Sequence, residues 1–224
     1  MKNLKEIYAS RFSEADAAEK NAIWMEVAGY LQRFIPRDAA VVDVGCDRGD
    51  FIRNIEAAER WATDVRDTSA HLPPEVKFCR QDSLKLREVL PLGHFDVVFM
   101  SNFLEHLPSS QAIIEQLQVA RDLLQPGGIV IVLQPNIRLV GGRYWDFIDH
   151  TVALTEKSLE EAGVLAGLRT RRLIVRFLPY STKSRLPRHH LLVRWYLRLR
   201  PLWLLLGKQT LYIAARPLEG RRGQ

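Results

Sequence analysis

Apolar and polar positions change period along this chain in a repeating order. Ala18, Ala22, Met25, Ala28 and Leu31 stand at helical spacing within residues 14–34, with Pro36 beyond them, which predicts a helix before the first strand. A short apolar run at 41–44 follows, and then a segment near 49–58 with helical spacing. Runs at 60–64, 76–79, 95–100 and 129–133 read as further strands. A helix is predicted near 109–124, stopped by Pro126, Gly127 and Gly128. Another is predicted near 156–165, ending at Gly163 or Gly167, and runs at 168–178 and 211–215 read as two closing strands. Strand and helix taking turns predicts an α/β, doubly wound, mostly parallel sheet, with a basic helical insertion before the last strand.

Length and composition narrow the class. The 224 residues can bury one substantial core, so a single domain is expected. Within it, 1–36 forms an N-terminal helical cap, 37–136 a ligand-binding core, and 137–224 a closing part with the insertion. Two cysteines cannot build a disulfide framework, which points to a reduced, cytoplasmic setting. The first residues lack the apolar stretch of a signal peptide, and no run of about 18 apolar residues is long enough to span a bilayer.

The net charge of +6 conceals an asymmetry. Residues 162–218 carry twelve Lys and Arg with no Asp or Glu, leaving 20 basic against 26 acidic residues elsewhere. A basic end on an acidic body predicts an anionic partner there. In residues 188–206, Leu191, Trp195 and Leu199 share a helical stripe with Leu192 and Tyr196 beside it, Arg194 and Arg198 lie on another side, and Pro201 breaks the pattern. Leu, Trp, Tyr and Arg so mixed suit peripheral contact with an anionic membrane at its inner face, or a structural lid over the sheet edge. No nucleic-acid module motif is visible, so that partner is not expected.

The richest stretch is residues 40–51, where an apolar run bearing Asp43 meets Gly45, and Gly49 follows four residues later. That is a buried strand turning tightly at the position where open α/β sheets bind nucleotide-like ligands. Asp64 ends the second strand, nineteen residues after Gly45, where a carboxylate can accept from both ribose hydroxyls. Asp82 follows the third strand and can accept from an exocyclic amine of adenine. Asn102 follows the fourth. A nicotinamide dehydrogenase would need G-x-G-x-x-G for a pyrophosphate, but the turn reads Gly45-Cys46-Asp47-Arg48-Gly49, and Asp47 opposes a phosphate while tolerating a sulfonium.

VVDVGCDRGDF, WATDV, CRQDSL, FDVVFMSNFLEHL and LLQPGGIVIVLQPN, in this order, resemble the class I S-adenosyl-L-methionine-dependent methyltransferases. RYWDFIDHTVALTEKSLEEAG, FLPYSTKSRLP and LWLLLGKQTLYIAARP extend the likeness nearly to the end, toward a bacterial subgroup of the type 11 kind. The resemblance implies a seven-stranded sheet with its last strand antiparallel, and S-adenosyl-L-methionine as cofactor. It implies that Asp43 orients the methionine amino group, that Gly45, Cys46 and Gly49 give backbone access, and that a helix starting near Gly49 faces the methionine carboxylate. Asp64 and Val65 then meet the ribose side, Asp82 and Ser83 the adenine, and Asn102 the methionine moiety. Asp47 is a departure, since the family pattern places glycine there.

Methyl transfer is an in-line displacement that mainly needs alignment and exclusion of water, with a base only for a weakly acidic acceptor. His150, with Asp149, is the candidate base, in a loop with Tyr144 and Trp145 expected on the acceptor side. His106 is also placed there. Glu105-His106 has Asn102 three residues before Glu105, so the local sequence lacks a full ligand set and no metal is expected. The acceptor expected is a small molecule or a saccharide or lipid-linked cell-envelope precursor.

Overall fold

The computed structural model describes residues 14–180 and 189–218. The expected segment FLPYSTKSRLP falls largely on 181–188, outside them, as does Arg188 at the start of the basic insertion. Seven strands form one sheet in the order β3-β2-β1-β4-β5-β7-β6. They are β1 (Ala40–Val44), β2 (Glu59–Asp64), β3 (Val76–Arg80), β4 (Phe95–Ser101), β5 (Leu124–Pro135), β6 (Arg169–Leu178) and β7 (Gln209–Ala215). The β1–β2, β2–β3, β1–β4 and β4–β5 pairs are parallel, and β7 enters antiparallel between β5 and β6. The mostly parallel sheet with an antiparallel last strand agrees with the expectation.

Both faces are covered, which is why β1 is buried at all five positions rather than at alternate ones. On one face Val42, Val98 and Val130 pack with Leu117 of α2 (Ser110–Leu123) and Leu159 of α4 (Glu156–Leu165). On the other, Val41, Val97 and Ile131 pack with Leu31 of α1 (Glu14–Leu31) and with Tyr196 and Trp203. A short α3 (Ile137–Val140) follows β5, and the insertion folds as α5 (His190–Arg198) and α6 (Arg200–Leu206), with Pro201 in the first turn of α6. Among the described residues no helix is long and apolar enough to cross a membrane.

Two expectations change, and one alternative is decided. The segment near 49–58 is a tight turn and one 3-10 turn, Ile52–Asn54, rather than a helix. Asn54 explains it: its side-chain amide donates to the Asp50 carbonyl at 2.8 Å, the acceptor an α-helix would give to its N–H, and the Asn54 N–H turns to the Phe51 carbonyl at 3.0 Å. The helix start expected near Gly49 is therefore not formed. α4 ends at Leu165, just before Gly167 at φ +79°, the second of the two glycines expected to end it; the helix passes through Gly163, where a Cβ would stand 2.1 Å from the Tyr212 hydroxyl. Gly127 and Gly128 lie within β5, not after a helix end.

Candidate active site

Because β3, β2, β1 and β4 are adjacent and parallel, their C-terminal ends bring Asp82, Asp64, Gly45 and Asn102 into one row. At the centre, Gly45 takes φ +70° and its N–H donates to the Thr63 carbonyl at 2.9 Å, as does that of Cys46 at 3.0 Å. A Cβ at Gly45 would stand 2.5 Å from the Phe103 ring, and one at Gly49, also at positive φ, 2.2 Å from Leu72. The glycines thus serve close approach of the chain's own side chains as well as the turn.

Asp47 takes φ +49°, the left-handed region that glycine would fill freely. Its carboxylate pairs with Lys20 at 3.3 Å and Arg66 at 3.0 Å. Burial pushes this carboxyl up, but Lys20 and Arg66 outweigh it and the net shift is downward. Asp64 is 6% exposed, and four donors meet it: Asp47 N–H on Oδ2 at 3.1 Å, Arg66 N–H and Nε on Oδ1 at 2.9 and 3.1 Å, and Arg66 Nη2 on Oδ2 at 3.1 Å. Those donors fill the lone pairs that would accept from a ribose, so a ribose here requires Arg66 to swing away.

Asp43, facing the Ile52 N–H, is 3% exposed; burial first, then the charges of Asp50 and Asp64, push its carboxyl well above the usual range. Burial likewise pushes the Cys46 thiol up, with Asp43 adding to it. Cys46 therefore contributes backbone, not thiolate. Asp82 is exposed and accepts from the Leu84 N–H at 3.0 Å, capping the 3-10 turn Ser83–Glu88. Val65 is exposed beside Asp64. Asn102 takes φ +46°, and its N–H donates to the Leu133 carbonyl at 2.8 Å.

Beyond β4, the turn Leu104–His106 and the segment 144–152 come together. The Thr151 N–H and hydroxyl donate to the Glu105 carbonyl at 2.8 and 3.1 Å, and the same hydroxyl donates to the Leu107 carbonyl. His106 Nδ1 lies 2.9 Å from the Asp149 carbonyl. The His150 ring sits among His106, Tyr144 and Phe147, with centroids 4.8 to 5.1 Å away. Tyr144, expected on the acceptor side, is wholly buried, its hydroxyl donating to the Val152 carbonyl at 2.7 Å; it supports the loop from within. Trp145 is half exposed. Sequence reading missed Lys20 and Arg66, whose signal is visible only once Asp47 and Asp64 are known to be neighbours.

This fold, with acids and glycines on adjacent strand tips, defines a Rossmann-like transferase of the methyltransferase type. A methyltransferase-domain family matches residues 19–175, and the chain belongs to that family. Similar solved structures include a chain of the complex between the Haloferax volcanii Trm112 methyltransferase activator and a methyltransferase, at 16% identity and TM-score 0.65, covering 91% of this chain and 95% of that one. A SAM-dependent methyltransferase from Archaeoglobus fulgidus aligns at 19% identity and TM-score 0.59, covering 84% and 92%. One from Mesorhizobium loti aligns at 17% and 0.59, covering 83% and 95%. At these identities the likeness is one of fold. The chain is a methyltransferase of the class I kind, whose methyl donor is S-adenosyl-L-methionine.

Proposed function

We propose that the chain transfers a methyl group in line from S-adenosyl-L-methionine to a small-molecule or cell-envelope acceptor, a saccharide or a lipid-linked glycan. The observation that carries the reading is the row of polar groups across four adjacent strand tips. The residues fit the donor: Asp43, Asp47, Asp50 and Asp64 surround a glycine turn with Lys20 and Arg66 as their ion-pair partners among the described residues, which suits a cation and opposes a pyrophosphate. When bound, the donor supplies an electrophilic methyl on a positive sulfur. Asp43 orients its amino group, Gly45, Cys46 and Gly49 present backbone to it, Asp64 takes the ribose as Arg66 yields, with Val65 beside it, Asp82 and Ser83 flank the adenine, and Asn102 lies under the methionine. His106, Asp149, His150 and Trp145 form the acceptor wall.

The basic insertion supports peripheral contact with an anionic membrane. Leu191, Leu192, Trp195, Leu199, Leu204 and Leu205 are exposed on it, while Tyr196 and Trp203 anchor it to the core. Arg194 is bound bidentately to Glu26 of α1 at 2.7 to 3.0 Å, which leaves Arg198 and Arg200 for headgroups. A second reading, a module that binds without turnover, is favoured by the Arg66 grip on Asp64. Release of S-adenosylhomocysteine across a panel of saccharide and lipid-linked acceptors separates the two. Acceptor-dependent release is expected; cofactor binding with release that no acceptor stimulates favours the module.

A further inference from the structure

Glu105, His106 and His150 each offer one ligand-type atom, and those atoms all lie within 4.8 Å of one another. Two of these residues come from the turn after β4 and the third from the loop after β5, so 44 positions of chain separate His106 from His150 and only the fold unites them. We propose that they form a binding site for a divalent first-row transition ion, of the two-histidine, one-carboxylate kind.

Four features of the geometry support it. First, His106 Nδ1 lies 2.9 Å from the Asp149 carbonyl oxygen, which can only accept. The ring proton is therefore on Nδ1, and Nε2 keeps its lone pair for an ion. That is the arrangement in which a second-sphere acceptor fixes a ligating imidazole. Second, Glu105 is 1% exposed and its Oε2 accepts from Gln134 Nε2 at 3.0 Å, which steers the carboxylate. A buried carboxylate held by a neutral amide gains most from a nearby cation. Third, the loop is preset: the backbone hydrogen bonds from Thr151 and Val152 to the Glu105 carbonyl tie the segment that carries His150 to the turn that carries the other two. Fourth, Tyr144 and Phe147 pack their rings against His150 and limit solvent around it.

The donor set decides the class of ion. Two imidazoles and a carboxylate suit zinc and its late first-row neighbours, whereas magnesium prefers an all-oxygen octahedron. Three protein ligands leave positions open to oxygen donors from water or from the methyl acceptor. In that role the ion would hold an acceptor hydroxyl beside the donor and make its proton easier to lose to solvent water, and His150 would act as ligand rather than as base. The ion site itself rests on geometry, and its task in the reaction rests on the methyl-transfer reading.

Cobalt chloride is the probe, because cobalt in an imidazole–carboxylate site gives visible d–d absorption. Titration of the full-length protein is expected to saturate at one cobalt per chain, with zinc displacing it and magnesium failing to do so. Glu105→Gln, which keeps the size of the side chain, and His150→Ala are each expected to weaken cobalt binding by about tenfold or more. His106→Ala is the further variant should one of these fail the folding check by circular dichroism. No saturable cobalt spectrum, or an unchanged one in folded variants, overturns the site. Titration with S-adenosylhomocysteine reads the strand-tip cradle separately: cobalt bound without it leaves the ion site standing and sinks its task.

Discussion

At the scale of single residues, the structure around the turn after β1 holds Asp43, Asp50 and Asp64 where water scarcely reaches them. Asp43 is the extreme case, since burial and three neighbouring acids all disfavour its charge. A cationic ligand reverses that preference. Asp43 is therefore expected to ionise as the methionine ammonium docks, so binding releases a proton and affinity rises as pH increases through its elevated pKa. Calorimetry in buffers of different ionisation enthalpy measures this release, and Asp43→Asn is expected to abolish it; release that persists in the variant contradicts the assignment. Asp47 shows how a departure from the family pattern is accommodated. An aspartate at φ +49° costs less than most residues there, and its two ion pairs offset the cost.

At the scale of elements, the insertion is held by two polar bonds inside apolar packing. Tyr196 donates its hydroxyl to the Phe177 carbonyl at 2.7 Å, and Trp203 Nε1 donates to the Tyr196 carbonyl at 2.8 Å. The Trp203 ring meets Phe177 at 5.3 Å and Tyr30 at 5.7 Å between centroids. Trp203→Ala is expected to cost about 3 kcal/mol in denaturant unfolding, and a loss under about 1 kcal/mol would show that the insertion is not part of the core. Most elements were legible because their periods are unambiguous: α4, predicted at 156–165, is observed at Glu156–Leu165. The segment after β1, expected as a helix and not formed as one, has helical apolar spacing at Phe51, Ile52 and Ile55, but the Asn54 side-chain amide takes the Asp50 carbonyl. Gly163 and Gly167 both read as possible stops, and the choice fell to Gly167 because Gly163 is kept for close packing against Tyr212, 49 positions later, which nothing near it in sequence announces. The strand-tip acids were legible from spacing alone, while the grip of Arg66 and the meeting of His150 with Glu105 depend on tertiary contact.

At the scale of the whole molecule, polarity divides the chain between a cofactor side rich in acids and an insertion rich in arginine. The exposed Leu and Trp of α5 and α6, with Arg198 6.0 Å from the Trp195 ring, are the groups that the insertion offers to an anionic interface in the proposed contact. Co-sedimentation with anionic vesicles at low salt is expected, weakened by salt and by Trp195→Glu combined with Leu204→Glu. Absence of binding to such vesicles contradicts the membrane contact and leaves the insertion as a structural cover. Neither outcome touches the cradle, which lies at the opposite strands of the sheet.

That cradle is tested most directly by calorimetric titration with S-adenosylhomocysteine of the unaltered protein and of Asp64→Ala, both shown to be folded. One ligand per chain is expected for the first, and affinity weaker by about 1–3 kcal/mol for the second. No binding to the unaltered protein, or equal affinity in the two, contradicts the account.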